Sequence, residues 1–154
     1  MAEGRLVIGV GNPDCGDDAV GRMVVGLLRG KLPADVGLEE HSGEAATLVD
    51  RLDGAAAVYL VDAAVSGAER GRIRRLEAND GPLPSGLGSM SSHGLGVAES
   101  IELARALAML PPVCAVFAIE AGTFEPGAAP SPEVEQAAHA VADAILRELT
   151  AGQG

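Results

Sequence analysis

The sequence predicts an α/β domain: a mostly parallel sheet with helices on both faces. Three observations carry this. Short aliphatic runs alternate along the chain with stretches of helical periodicity. The first run, Arg5–Val10, is apolar, is ended by a glycine and reads as a strand buried within a sheet. No internal repeat or linker divides the 154 residues, so residues 1–150 are expected to form a single three-layer α/β/α domain and 151–154 a frayed tail. Hydrophobic residues make up 47% of the chain but aromatics only 2%, so the core has to be aliphatic.

The elements follow in order. After the first strand, Val20, Val24, Leu27 and Leu28 repeat at helical spacing, and Asp17 or Asp18 can cap that helix. Val36–Glu40 is the second strand and Glu44–Leu52 a short second helix. Ala57–Val61 (AVYLV) is the most strand-like segment, closed by Asp62. Gly71–Glu77 alternates as an edge strand should. A loop, Ala78–Ser92, exceeds ordinary connections. Ser91 or Ser92 can cap a helix running to about Met109, stopped by Pro111 and Pro112. Val113–Ile119 is the last strand. The final helix is announced by Ser131 at the cap and Pro132 at its first position, with Val134, Ala138, Val141, Ile145 and Leu149 as its buried stripe.

Charge and cysteine content narrow the function. Eleven basic residues stand against twenty-two acidic ones, a net charge of −11. Phosphate backbones are bound chiefly by Lys and Arg, so no nucleic-acid partner is expected. The one basic cluster, Arg70, Arg72, Arg74 and Arg75, is short. Cys15 and Cys114 form neither a CxxC pattern nor a disulfide framework. The N-terminal apolar run is too short for a signal peptide, and no run approaches a membrane span, so a cytoplasmic protein without a membrane partner is expected.

The stretch Gly9–Gly21, GVGNPDCGDDAVG, lies where many α/β proteins hold a phosphate. It is not built for one. The dinucleotide pattern GxGxxG finds Gly9 and Gly11 but Asp14 in third place, and Gly-Lys-Ser/Thr is absent. Two like charges at ~4 Å repel by roughly 4 kcal/mol at an effective dielectric near 20. Asp14, Asp17 and Asp18 would impose that on a phosphate, with no cation before Arg22. No nucleotide is expected.

In parallel sheets ligands bind beyond the carboxyl ends of the strands. Neighbouring strands lie ~4.8 Å apart. If the first and third strands are adjacent, Asp62 comes within coordinating reach of Asp17 and Asp18. His93, in SSHGLG, is the third candidate. Two carboxylates and an imidazole suit a divalent metal such as nickel or zinc. Plainer roles compete: Asp17 and Asp18 as helix caps, Asp62 bonded to its own turn, His93 at the surface of a helix start. His41 and Glu44 lie past the second strand and read as loop or helix-start residues; His139 lies beside the last helix's buried stripe. Cys15 has no basic neighbour to activate it, and the serines have no His/Asp partners, so no covalent nucleophile emerges.

The residues together resemble the hydrogenase maturation endopeptidases, which process the large subunit of nickel–iron hydrogenases. The resemblance runs through IGVGNPDCGDDAVG, VYLVDAAVSG, GRIRRLE, SSHGLGVAESIELARAL and VFAIEAGTFEPGAAPSPEVEQAA, in order and over nearly the whole chain. It implies a five-stranded twisted sheet between helices. It places the family's metal-binding acidic residue on Asp18, its aspartate on Asp62 and its histidine on His93. It also implies recognition of nickel in a large-subunit precursor, followed by removal of a C-terminal peptide; zinc would be held about as well by these ligands. A water polarised by the metal or deprotonated by Asp17 would attack the scissile carbonyl, making Asp17 and Asp18 the catalytic candidates. The segment HSGEAATLVDRL departs from the family's Gly-Gly-Thr-like turn, and His41 or Glu44 there can alter the pocket. That leaves an alternative: a metal-sensing chaperone or binding module for hydrogenase assembly, with proteolysis lost.

Overall fold

The computed structural model describes residues 4–12, 14–83 and 97–151. Five strands, β1 (Arg5–Val10), β2 (Val36–His41), β3 (Ala57–Ala64), β4 (Ile73–Glu77) and β5 (Val113–Glu120), form one sheet in the order β2-β1-β3-β5-β4. All pairings are parallel except β4 with β5. β3 and β5 lie in the middle and are buried along nearly their whole length, which is why their sequences are almost uniformly apolar. β2 and β4 are the edges and are only partly buried.

Four helices complete the layers: α1 (Val20–Leu28), α2 (Ala45–Leu52), α3 (Val97–Ala106) and α4 (Pro132–Ala151). The alternation of side chains along each strand divides the core in two. Val7, Tyr59, Val61, Phe117 and Ile119 face α1 and α4, whose Val24, Leu28, Val141 and Ile145 meet them. Ile8, Val10, Leu60, Cys114 and Val116 face the opposite way, towards Leu48 and Leu52 of α2 and Ile101 of α3.

Several boundaries differ from those expected. β3 does not close at Asp62 but continues to Ala64, because its pairing with β5 runs through Ala64↔Glu120. Asp62 is thus a strand residue. The described part of α3 ends at Ala106, short of Met109; Ala108 adopts φ 60° and the Met109 N–H returns to the Ala104 carbonyl at 2.8 Å, a left-handed helix stop. The long loop after β4 begins as a 3-10 turn, Ala78–Asp80. α4 remains helical to Ala151, the first residue of the expected frayed tail. Residues 152–154 and the expected caps Ser91 and Ser92 lie outside the described residues.

One close approach positions everything that follows. β1 and α1 touch backbone to backbone at Gly9 and Gly21. A Cβ on Gly9 would overlap the Gly21 carbonyl, and one on Gly21 would run into backbone atoms of Val10 and Val61. Only glycine allows this contact. It draws the intervening loop, with its aspartates, down onto the end of the sheet.

Candidate active site

The chain leaves β1 towards β2 on one side, while β3 lies on the other. This reversal of direction opens a crevice at the carboxyl ends of β1 and β3, the usual ligand position in such sheets. Asp18 comes to it from a 3-10 helix, Gly16–Ala19, and Asp62 from β3. Both are buried, at 6% relative exposure. The Asn12 N–H donates to Asp18 Oδ2 at 3.0 Å and the Ala63 N–H to Asp62 Oδ1 at 2.9 Å.

The two carboxylates feel each other. Burial, and then the negative charge of Asp18, push the Asp62 carboxyl well above its ordinary value of 3.8; the Ala63 N–H works against them. A divalent cation would relieve both penalties, and a donor set of hard carboxylate oxygens suits one. Among the described residues no group of three His, Cys, Asp or Glu side chains is gathered to hold a metal. The third expected ligand, His93, lies outside the described residues.

Asp17 points elsewhere. It is fully buried, and its carboxylate accepts from the N–H groups of Gly122 (2.7 Å), Thr123 (3.1 Å) and Ser131 (2.6 Å) and from the Ser131 hydroxyl (2.8 and 2.7 Å to its two oxygens). Burial pushes its pKa up, but these donors outweigh burial and hold the carboxyl below 3.8. Such a group is a poor proton acceptor. Its geometry is that of a clamp, tying the aspartate loop to the loop after β5 and to the start of α4. The expectation that Asp17 or Asp18 caps α1 fails: no side chain caps that helix, since the 3-10 helix leads straight into it. Ser131 does precede α4, but its hydroxyl serves Asp17.

His41 and Glu44 form a closed local network. His41 Nδ1 accepts from the Gly43 N–H at 2.9 Å, and Nε2 lies 3.0 Å from the Thr47 hydroxyl. Thr47 Oγ1 in turn donates to Glu44 Oε2 at 2.6 Å, and Glu44 accepts from the N–H groups of Ala46 and Thr47, capping α2. Burial lowers the pKa of His41 below 6.5, with Glu44 and Glu39 opposing.

Glu120 opens one of the strand-end segments, Glu120–Phe124, that the sequence places on the ligand-binding rim, though without a role of its own. It is buried at the end of β5, where it accepts from the Ser66 N–H (2.9 Å) and hydroxyl (2.6 Å) and so anchors the segment after β3. The available signal was a lone carboxylate ending an apolar strand, VCAVFAIE. Cys15 is partly buried; Cys114 is in the core, where burial pushes its thiol up to about 12, and neither reads as a nucleophile.

The pattern of sequence agrees with the geometry. Residues 41–148 match the family model for hydrogenase maturation proteases. The chain belongs to the hydrogenase maturation protease family. It is therefore an enzyme, of the endopeptidase type. Solved structures share the fold over nearly their full length. The hydrogenase maturating endopeptidase HybD from E. coli is 23% identical, with 97% of this chain and 93% of that one covered at a TM-score of 0.80. The NiFe hydrogenase maturation protease HycI from Thermococcus kodakarensis is 24% identical, with coverage of 96% and 93% and a TM-score of 0.72. The hydrogenase 2 maturation peptidase from a Thaumarchaeota archaeon is 25% identical, with coverage of 96% and 98% and a TM-score of 0.70. No curated protein matches by sequence. Among the described residues no helix is long and apolar enough to cross a membrane.

Proposed function

We propose that this maturation protease removes a C-terminal peptide from a nickel-loaded hydrogenase large-subunit precursor, and that Asp18 and Asp62 engage the precursor's nickel together with His93. The observation that carries the reading is the pair of buried carboxylates at the sheet's crevice, placed where each raises the electrostatic burden of the other. A cation joining two buried carboxylates offsets their mutual repulsion and their desolvation together. Zinc would satisfy the same donors.

A divalent cation at this place supplies Lewis-acid polarisation of the bond to be cut. The chain's own residues do the rest. Asp18 and Asp62 present oxygens from a rigid loop and strand, the Asn12 and Ala63 amides orient them, and Asp17 locks the loop against α4. The role of general base moves from Asp17 to the Asp18–Asp62 pair, because Asp17 has its oxygens occupied by four donor groups.

The test is to mix the purified protein with nickel-loaded and nickel-free precursor and to measure intact masses. A specific C-terminal loss that needs nickel, and that vanishes in Asp18→Ala and His93→Ala, is expected. Full-rate processing by either variant would sink the assignment. Binding without mass loss would favour the chaperone reading. That reading rests on His41 and Glu44 altering the pocket, whereas Glu44 caps α2 and His41 is bonded to Gly43 and Thr47 beside it.

A further inference from the structure

The segment between β3 and β4 ends in Arg70, Gly71 and Arg72, and its backbone is fastened firmly. The Gly71 N–H donates to the Glu120 carbonyl at 2.9 Å, and the Glu120 N–H donates to the Arg72 carbonyl at 2.9 Å. Gly71, at φ 88°, also lies so close to Glu133 of α4 that an added Cβ would touch its backbone oxygen at 2.8 Å. From this anchored stem the Arg70 side chain reaches the loop after β5. Its guanidinium fills the space that a side chain at position 122 would occupy: a Cβ on Gly122 would overlap Nε, Cζ and Nη2. Gly122 is fixed in its turn by its N–H bond to Asp17. A cation is thus seated on the peptide that Asp17 ties to the candidate active-site loop.

Arg5, Arg22, Arg29, Arg51, Arg75 and Arg105 each form an ion pair. Arg70 has no carboxylate within ion-pair distance among the described residues, in a chain of net charge −11. Arg70 is exposed. A seated, planar guanidinium with exposed N–H groups is matched to a carboxylate, which it takes with two parallel bonds. Its neighbours Arg72 and Arg74 also form no ion pair among the described residues, so this short basic stretch draws a negatively charged peptide on a chain of net charge −11, and Arg70 is the member seated against the loop after β5.

We propose that Arg70 is a specificity-determining residue that binds a carboxylate of the precursor's C-terminal extension at the sheet's carboxyl-end rim. The inference rests on the proteolytic reading above. The carboxylate is either the terminal one or an acidic side chain of the extension.

The test uses the full chain and a nickel-loaded large-subunit precursor, with two readouts: intact mass for cleavage and equilibrium affinity for binding. Arg70→Gln is expected to weaken precursor binding and raise KM by about fivefold, the upper scale of one solvent-accessible ion pair, with kcat little changed. Arg70→Lys is expected to recover part of the loss, and Gly122→Ala, which evicts the guanidinium, to weaken binding as well. Semisynthetic precursors separate the sources: the Arg70→Gln effect should vanish with a C-terminal amide if the terminus is bound, or with side-chain amides if an acidic residue is bound. An Arg70→Gln protein with unchanged affinity, or one whose loss persists on both amide substrates, overturns the proposal. If the unaltered protein binds precursor but never shortens it, the proteolytic reading fails while the affinity comparison still decides for or against Arg70.

Discussion

The carboxylates of this molecule live in two kinds of place. On the outer surface several are paired with arginine: Asp35 with Arg5, Glu39 with Arg51, Glu148 with Arg75 and Glu102 with Arg105. At the carboxyl-end rim Asp17, Asp62 and Glu120 are buried, and among the described residues none has a cationic partner. The surface pairs contribute little to stability. The buried group is split again. Asp17 and Glu120 are satisfied by amide and hydroxyl donors and hold loops together, whereas Asp62 is pushed towards its neutral form by burial and by Asp18. Burial alone therefore does not mark a functional carboxylate; the proposed metal site uses the one whose burial a single amide offsets only in part.

The sharpest way to break this distinction is Asp62→Asn. It keeps the shape and the bond from Ala63 but removes the charge. Precursor processing should fall by at least about 100-fold, while the melting temperature stays level or rises. The sign follows from the raised pKa: the ionised Asp62 opposes folding at every pH above its unfolded value near 3.8, and the asparagine lifts that penalty. A marked loss of stability would place Asp62 with the structural carboxylates.

Asp17→Ala should do the opposite. It strands buried donors from Ser131, Gly122 and Thr123, so denaturant titration should show a loss of about 3 kcal/mol, with any fall in activity following from the loosened loop. A stable Asp17→Ala protein with no activity would restore Asp17 to the chemistry.

His41 offers a milder, pH-dependent check on the network that caps α2. Its folded pKa lies below the unfolded 6.5, so the unfolded state takes up the proton first as pH drops. Stability from this residue should be complete above about pH 6.5 and decline as the solution is acidified below it. Glu44 and Glu39 soften the decline and Arg22 and Arg51 steepen it. His41→Gln should flatten that part of the profile; an unchanged profile would show that His41 titrates as in the unfolded chain.

The smallest effect belongs to the surface pairs. A double-mutant cycle on Arg75 and Glu148, whose two bonds are both 2.7 Å, should return a coupling of about 0.5 kcal/mol that shrinks in salt. A coupling of several kcal/mol would erase the contrast between the two regions.

Much of this was legible in the chain itself. The order of elements and the aliphatic two-sided core follow from hydrophobic periodicity and composition, because those properties act locally and repeat. The start of α4 at Pro132 and the edge character of β4 were equally local. The adjacency of β1 and β3 had to be assumed, since sheet order depends on long-range pairing. Local sequence did not separate Asp17 from Asp18, two residues of the same type at a helix entrance that could each cap it; the family resemblance assigned the metal to Asp18 but gave no sign that Asp17 is a clamp. Only the tertiary structure brought Gly122, Thr123 and Ser131 onto one carboxylate and β3's Asp62 against the other. The physical reason is that a carboxylate's role is decided by the donors and charges around it, and the ones that separate Asp17 from Asp18 come from residues more than forty positions away.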